Sequence, residues 1–373
     1  MYKKWVSILG AFLLSRLLCS AFVYLGHIQR PYLQDVPGGW IGVDHWWLNP
    51  WTTYDSFWYL KIASSGYSPE ATAFFPLYPF LLSVCNDPVL MAAAGVAISH
   101  LALLAALFIV FAVTAHEFDE KLAHITVWVL CFSPAAPFFG AVYTESLFIL
   151  LLAGTFWAVR SKRWGLCAAL ALATALVRNP GFLLAAALFI ELRQNGGSPL
   201  KKHLFVPLAP FVAFCMVQAG FWWTFGSPFS GLVSQSHFHR TLSWPWQPLF
   251  KDIQSLLSPG FTLNYYIITT TSLLFTLVAL LAWAYRCKAF PFRPGYIILI
   301  TGITLMNLVY AREIVPTTVS EVRYMGALYP FSQIIAAAIY KLHRYPLAAP
   351  FLVSCQLFLF LVFSFYFGMK FIF

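Results

Sequence analysis

Long apolar stretches separated by short polar loops dominate the pattern of this chain. Because a helix needs about 20 apolar residues to cross a bilayer, each long stretch predicts a membrane-spanning helix. Clear spans are predicted at residues 5–27, 89–115, 203–225, 263–285, 296–310, 324–340 and 347–369. The pattern therefore predicts an all-α polytopic membrane protein.

Two further apolar regions, 122–159 and 164–192, are interrupted by helix breakers. Pro134 and Pro137 break the first region, and the run 178–181 (Arg-Asn-Pro-Gly) breaks the second. If the basic loops are cytoplasmic, each region begins and ends on the same side and must cross twice, which predicts about 11 transmembrane helices with the N-terminus inside. Short broken helices of this kind are tolerated where they line a protein-enclosed cavity. The basic loop residues are Lys3, Lys4, Lys121, Arg160, Lys162, Arg163, Arg193, Lys201, Lys202, Arg286, Lys288, Arg293, Lys341 and Arg344.

Composition supports the membrane class. The 373 residues are 60% hydrophobic and only 10% charged, against about 25% charged in soluble domains. The net charge of +10 comes from short loops without a nucleic-acid-binding motif, so no nucleic acid partner is expected. Seven scattered Cys without a CxxC spacing argue against structural zinc or a disulfide framework. The apolar run after Met1 is predicted to be a retained signal anchor.

The same threading places most of the acidic residues on the non-cytoplasmic face. The sequence predicts one integral-membrane domain over residues 1–373, with a first external loop at 28–73 and a second at 226–262. The chemistry is therefore expected outside. The acids outside or at the outer edge are Asp35, Asp44, Asp55, Glu70, Asp87, Glu145, Asp252, Glu313 and Glu321.

Five outer segments carry polar side chains that can do chemistry. A carboxylate can remove a proton from an attacking hydroxyl, and the planar fork of Arg suits phosphate. No Walker, GxGxxG or GxSxG motif occurs, so no soluble nucleotide cofactor is implied. The candidates, in chain order, are Asp55, Lys61, Tyr143, Glu145, Arg178, Asn179, Gln235, His237, His239, Arg240, Arg312, Glu313, Glu321, Arg323 and Tyr324.

Most candidates have a structural alternative. Asp55 can be the N-cap of a short amphipathic helix over 55–64, and Glu145 can cap the helix that it begins. Arg178 and Arg323 can simply pair with neighbouring acids, although charges at membrane depth are usually functional. The remaining structural alternatives are solvated loop positions for Lys61, His237 and Arg240, a chance pairing of His237 with His239 rather than a metal site, and a buried packing role for Arg16.

Three motifs occur in order along the chain. The first motif, residues 54–79, contains Tyr54-Asp55-Ser56-Phe57-Trp58-Tyr59-Leu60 and ends in Phe74-Phe75-Pro76-Leu77-Tyr78-Pro79. The second motif, residues 132–148, runs from Phe132-Ser133-Pro134 to Tyr143-Thr144-Glu145-Ser146-Leu147-Phe148. The third motif, residues 173–181, contains Arg178-Asn179-Pro180-Gly181. Together they resemble the PIG-V-like mannosyltransferases of the GT-C superfamily, and the short chain resembles a prokaryotic member. Tyr54 and Ser133 depart from the Trp and Asn usual there.

This resemblance implies a GT-C fold and a function. It implies transfer of a monosaccharide, mannose by analogy, from a polyprenyl-phosphate donor to a hydroxyl of a lipid-linked glycan or other acceptor, with inversion. Asp55 matches the catalytic base of the first external loop. Candidates for the donor phosphate are Arg178, Arg323, Arg240 and Lys61, and candidates for the substrate pocket are Glu145, Tyr143, Tyr54, Trp58, Asn179, His237 and Tyr324.

The resemblance also implies a location and a cofactor requirement. The site would face the periplasm or lumen, in the inner membrane of a prokaryote or the endoplasmic reticulum of a eukaryote. Some GT-C enzymes use a divalent metal, but none is implied here. The alternatives are a flippase or secondary transporter, since broken helices also mark transporters, a GT-C polymerase or ligase, and a non-catalytic subunit.

Overall fold

The structure is a computed structural model that describes residues 2–29, 45–194, 203–260, 262–284 and 292–369. Several residues used in the sequence analysis lie outside these ranges: Asp35, Asp44, Lys201, Lys202, Arg286, Cys287 and Lys288. The chain divides into two compact units, which are described separately. The first unit comprises Met1–Tyr67, Pro76–Leu170 and Gly326–Phe373, and the second unit comprises Ser68–Phe75 and Ala171–Met325.

Helices make up most of the described chain, with one short β-ribbon. The helices are α1 (Tyr2–Gln29), α2 (Asp55–Ser65), α3 (Leu77–Leu82), α4 (Pro88–Glu117), α5 (Glu120–Cys131), α6 (Glu145–Arg160), α7 (Trp164–Val177), α8 (Leu184–Gln194), α9 (Phe205–Phe225), α10 (Ser230–Val233), α11 (Trp246–Leu257), α12 (Leu263–Ala284), α13 (Pro294–Val309), α14 (Ser320–Gly326), α15 (Tyr329–Leu342) and α16 (Ala348–Gly368). The strands are β1 (Arg240–Leu242) and β2 (Tyr310–Arg312), and short 3-10 turns join several helices.

Five helices of the described chain are long and apolar enough to cross a membrane, and they coincide with predicted spans. They are α1, α4, α9, α12 and α16, and α13 is a shorter apolar helix at a sixth predicted span. The two interrupted regions are broken where predicted: α5 and α6 flank the segment 132–144, and α7 and α8 flank 178–183. A multi-pass membrane protein follows, while the count of 11 helices stays a prediction.

The predicted continuous span at 324–340 is wrong. Helix α14 ends at Gly326, and α15 begins only at Tyr329, with Pro330 in its first turn. A side chain at Gly326 would overlap the side chain of Ala135, so the backbone packs directly on the second motif. The pyrrolidine ring of Pro330 cannot fit a helix interior but is tolerated in the first turn. Residues 327 and 328 separate the two helices.

Helix pairs hold the first unit together. Helix α1 packs on α16, α4 packs on α5 and α6, and α5 packs on α15. Gly26 of α1 and Gly368 of α16 allow a close approach of the two backbones, because a side chain at either would overlap a carbonyl oxygen of the other helix. Arg16 of α1 is buried and donates to the carbonyl oxygens of Ala136 (2.9 Å) and Cys131 (3.4 Å), which confirms its predicted packing role.

The second unit is built around a smaller set of apolar helices. Helix α8 packs on α9 and α13, and α12 packs on α13. Strands β1 and β2 pair antiparallel, with Thr241 opposite Ala311. Strand β2 follows α13 without a break, so the ribbon lies at the end of an apolar helix.

Candidate active site

Asp55 begins α2, immediately after a strained turn. Tyr54 has φ 54° and ψ −117°, a left-handed conformation that a non-glycine residue adopts only when its surroundings enforce it. The predicted N-cap role of Asp55 is off by one residue, because Tyr54 holds the N-cap position and Asp55 lies in the first turn. Asp55 is half-buried, and the positive end of the helix dipole stabilises its negative charge.

The hydroxyl of Tyr143 holds this turn in place. It donates to the carbonyl oxygen of Thr53 and accepts from the backbone N–H of Asp55, both at 3.3 Å. Tyr143 is fully buried. One side chain of the second motif therefore bridges the residues on either side of Tyr54 and fixes the direction in which α2 starts.

Further aromatic residues of the first unit surround this turn. Tyr59 shares a hydrogen bond with the hydroxyl of Thr144 (3.3 Å), and its ring contacts the rings of Tyr78 (5.3 Å) and Tyr143 (6.5 Å). Burial raises the pKa of the Tyr78 phenol above its ordinary value, and the nearby Tyr59 and Glu145 raise it further. Tyr78 is therefore a neutral hydrogen-bonding group, and it donates to the carbonyl oxygen of Gly95 (3.1 Å).

The sequence does not predict Tyr59, Tyr78 or Thr144 as site residues, although all three lie inside the first or second motif. Glu145, which is predicted, is the first residue of α6 and is fully buried. Thr144 holds the N-cap position of that helix, so Glu145 lies in the first turn instead of capping it.

Lys61 and Trp58 contact each other on α2. The ammonium nitrogen of Lys61 lies 5.3 Å from the ring centroid of Trp58 and 5.7 Å from that of Phe57. Six residues separate Lys61 from Asp55, which places the two about 120° apart around a helix of 3.6 residues per turn. The contacts of Lys61 in the structure are thus aromatic, and its predicted role at a phosphate stays a prediction.

In the second unit, Arg178 and Tyr324 come together. Arg178 is 6% exposed and follows α7 in an extended conformation that starts the 3-10 turn Asn179–Leu183. Its guanidinium carbon lies 4.6 Å from the ring centroid of Tyr324, a cation–π distance. Arg323 and Asn179 are half-buried beside these residues in the chain. Arg178 and Tyr324, which the sequence predicts separately for the donor phosphate and the substrate pocket, are therefore in contact.

Arg240 occupies the start of β1, directly opposite Arg312 of β2. It donates to the carbonyl oxygen of Tyr310 (3.1 Å) and to the hydroxyl of Ser320 (2.5 Å). His237 is exposed three residues earlier. The sequence alone does not assign a role to Arg312, because its proximity to Arg240 depends on the register of two distant strands.

Two buried carboxyl groups of the second unit fasten helices. Glu321 of α14 accepts from the hydroxyl of Thr304 (2.6 Å) and from the side-chain amide of Asn307 (2.8 Å), both in α13. Burial raises the pKa of Glu321 above its ordinary range, although both hydrogen bonds oppose that shift. Glu321 therefore fixes α14, which carries Arg323 and Tyr324, against α13.

Asp252 of α11 is fully buried and saturated with hydrogen bonds. One carboxylate oxygen accepts from the backbone N–H (2.7 Å) and hydroxyl (2.9 Å) of Thr317. The other accepts from the N–H (3.0 Å) and hydroxyl (2.6 Å) of Thr318. This carboxylate holds the loop after β2 against α11.

Metal ligands do not gather in the described part of the chain, where no three His, Cys, Asp or Glu side chains come together. The polar groups at Asp55 can accept a proton, and the arginines of the second unit can bind an anion. The fold and these groups define a class of protein. It is a multi-pass membrane protein with a carboxylate, Asp55, on a turn held by Tyr143 and with arginine side chains in the second unit.

One family model matches part of this chain. The family model described as Mannosyltransferase (PIG-V) matches residues 42–198. All three motifs lie within the matched range, so the predicted resemblance to PIG-V-like mannosyltransferases is confirmed there. A search of curated proteins found no match. The family match supports a membrane glycosyltransferase.

Solved structures of similar fold come from Archaeoglobus fulgidus. Its oligosaccharyltransferase in complex with Zn and sulfate has a TM-score of 0.50 and 13% identity over 94% of this chain and 53% of that chain. The archaeal oligosaccharyltransferase AglB, in complex with an inhibitory peptide and a dolichol-phosphate, has a TM-score of 0.49 and 13% identity over 97% of this chain and 55% of that one. The chain thus spans about half the length of these structures. The first likeness shows a similar fold.

Proposed function

We propose that this protein is a membrane glycosyltransferase that moves a monosaccharide, mannose by family analogy, from a polyprenyl-phosphate donor to an acceptor hydroxyl. The acceptor is a lipid-linked glycan or a related hydroxyl compound on the non-cytoplasmic face. The carrying observation is the turn at Asp55, where a strained residue and the hydroxyl of Tyr143 fix the start of α2. The family match over residues 42–198 supports the reaction class.

In this proposal Asp55 is the general base. Its carboxylate takes the proton of the acceptor hydroxyl while that oxygen attacks the anomeric carbon of the sugar. The bond from the anomeric carbon to the phosphate oxygen breaks, and the polyprenyl phosphate leaves with both bonding electrons. A single displacement of this kind inverts the anomeric configuration. The Tyr143 hydroxyl, which bonds the N–H of Asp55, positions the base.

The leaving phosphate requires positive charge, and basic side chains are assigned to it in this proposal. Arg178 and Arg323 are assigned to the donor phosphate, with Arg240 and Lys61 as further candidates. Arg178 is the best supported, because its guanidinium is buried and oriented by the ring of Tyr324. By family analogy, substrate-binding roles are assigned separately to Tyr54, Trp58 and Glu145 of the first unit and to Asn179, His237 and Tyr324 of the second unit. No metal is assigned to this reaction.

A direct transfer assay tests the proposal. Purified protein in nanodiscs is incubated with radiolabelled polyprenyl-phosphate mannose and a lipid extract that contains acceptors, with and without EDTA. Transfer of label to a new lipid, unaffected by EDTA, is the expected result. Asp55→Asn should abolish it, whereas Asp87→Asn should not, because Asp87 is exposed and only caps α4 through the N–H of Leu90 (2.8 Å).

The assay also separates the alternatives. Label that crosses sealed vesicles without a new product would favour a flippase or transporter. Transfer only from oligosaccharide donors would favour a polymerase or ligase. Equal transfer by wild type and Asp55→Asn would contradict the assignment of the base while leaving the reaction class intact.

A further inference from the structure

Two arginines face each other across the ribbon of the second unit. The register pairs Arg240 directly with Arg312, so their side chains leave the same face of the ribbon about 5 Å apart at the Cβ atoms. Like charges placed directly opposite each other are destabilising in an antiparallel pair. A negative charge near both guanidinium groups would therefore stabilise the ribbon.

The described residues do not provide that charge. Arg240 donates to neutral acceptors, the carbonyl oxygen of Tyr310 and the hydroxyl of Ser320. No carboxylate of the described chain lies within ion-pairing distance of either guanidinium group. Burial lowers the pKa of Arg312, and the charge of Arg240 lowers it further, whereas Tyr265 raises it. Two half-buried cations are thus held side by side, and Glu313, the next residue, is exposed.

The ribbon lies where apolar helices of the second unit end. Ser243, just after β1, donates its N–H to the carbonyl oxygen of Val309 (2.8 Å), the last residue of α13. Tyr265, whose field acts on Arg312, is near the start of α12, a candidate membrane span. These contacts place the arginine pair near the end of α13 and the start of α12. The end of a membrane-spanning helix lies at the level of the lipid phosphates.

Tryptophans beside the ribbon indicate the same depth. Trp244 and Trp246 follow β1 and stack with ring centroids 5.1 Å apart. Both rings are exposed, at 64% and 61%. Tryptophan is enriched at the boundary between the hydrocarbon core and water. The exposed Trp244 and Trp246 therefore favour a position of the neighbouring Arg240 at that boundary.

We infer that Arg240 and Arg312 form a binding site for a lipid-borne phosphate group. Two guanidinium forks can each give a phosphate two parallel hydrogen bonds, and the bound anion relieves the repulsion between them. Arg312 is the new member of this site. The inference rests on the proposed function only in naming the donor's phosphate as the first candidate ligand.

Binding of farnesyl phosphate, which carries no sugar, tests the site. The full chain in phosphatidylcholine nanodiscs is titrated with this probe, and affinity is measured by microscale thermophoresis. Arg312→Gln should weaken binding about tenfold or more, the loss expected for hydrogen bonds to a charged group. Lys251→Gln, which removes an exposed cation from α11, should leave affinity unchanged. Equal affinities in wild type, Arg312→Gln and the control would overturn the inference.

Thermal unfolding separates a binding role from a structural one. Without the probe, Arg312→Gln should unfold at the same temperature as wild type or higher, because the substitution removes a repulsion. Saturating probe should raise the unfolding temperature of wild type more than that of the variant. A variant that is less stable without the probe and binds it normally would show that Arg312 is only structural.

The source of the phosphate is resolved by three ligands. Stabilisation by farnesyl phosphate alone supports the donor, and equal stabilisation by phosphatidylglycerol nanodiscs supports a lipid headgroup. Equal stabilisation by inorganic phosphate at the same concentration would overturn the lipid-borne assignment. If probe binding depends on Arg312 but the protein transfers no sugar, this site is supported and the proposed function is rejected. If the protein transfers sugar but Arg312→Gln binds the probe as well as wild type, the proposed function is supported and this site is rejected.

Discussion

Asp55 and Asp252 are both aspartates that the sequence predicts on the outer face, yet the fold treats them differently. Asp55 is half-buried in the first turn of α2 and follows a strained residue. Asp252 is fully buried, and four donors from Thr317 and Thr318 fill both of its oxygens. A carboxylate whose acceptor sites are all occupied within the protein cannot take a proton from a substrate hydroxyl.

The difference shows that the surroundings of a carboxylate, more than its place in the threading, indicate its role. The structure fixes the backbone before Asp55, whose side chain is half-buried in the first turn of α2. It uses the side chain of Asp252 to fix the backbone of another segment. The same chemical change, Asp to Asn, should therefore affect activity at one position and stability at the other.

The largest effect is expected for Asp55→Asn. Loss of a general base costs on the order of 10²–10⁴ in rate, so kcat should fall by that factor while the unfolding temperature stays at the wild-type value. Transfer rates and tryptophan-fluorescence melting of the same preparation measure both. If Asp55→Asn lowered the melting temperature as well as the rate, Asp55 would also have a structural role and would no longer differ from Asp252.

Asp252→Asn should do the opposite. The amide nitrogen would face N–H and O–H donors that lose their acceptor, and each buried donor left unsatisfied costs about 1–3 kcal/mol. The melting temperature should drop clearly, and the rate per folded molecule should stay near wild type. Scanning fluorimetry with an activity assay on the folded fraction checks this. A stable but inactive variant would move Asp252 into the catalytic machinery.

Tyr143→Phe sharpens the Asp55 side of the comparison. It removes the hydroxyl that bonds Thr53 and Asp55, so kcat should fall about tenfold with little change in donor KM. Tyr78→Phe is the matched control, because its buried hydroxyl bonds Gly95 and Ser99 instead. The two variants should lose similar stability, and equal kcat values for them would argue against a positioning role of Tyr143.

The smallest effect concerns the pH dependence of Glu321. Burial raises its folded pKa, so its contribution to stability is complete below the ordinary carboxyl pKa of about 4.3 and is lost as the pH rises through the raised value. The loss amounts to about 1.4 kcal/mol per pH unit between the two values. Glu321→Gln should remove this dependence, whereas Glu313→Gln, at an exposed position, should keep it. Melting temperatures measured across that pH range test this prediction. If the melting temperature of Glu321→Gln changed with pH as steeply as that of wild type, the prediction would be contradicted.

Local sequence signals predicted much of the fold. Helix α2 was expected at 55–64 and occupies Asp55–Ser65, and the breaks at Pro134, Pro137 and Arg178 lie where the helix breakers stand. The break after Gly326 was not predicted, although Pro330 in the first turn of α15 is a local signal for it. The contact of Gly326 with Ala135 joins residues far apart in the sequence. Local propensity alone does not reveal such a contact.

The same limit applies to the candidate site. Motif resemblance indicated Asp55 and Tyr143, but only the fold shows that the tyrosine hydroxyl binds the aspartate backbone across 88 residues. Arg312 became a site residue through strand register with Arg240. Motif residues can be recognised from sequence, whereas partners that depend on long-range packing cannot.

The close contact between Gly26 and Gly368 has a consequence for biosynthesis. Helix α1 leaves the ribosome before α16, which packs on it and is translated more than 300 positions later. During that interval the glycine face of α1 must be covered by lipid, by the insertion machinery or by a temporary neighbour. Closure of this pair therefore cannot occur until the helices between α1 and α16 have been translated.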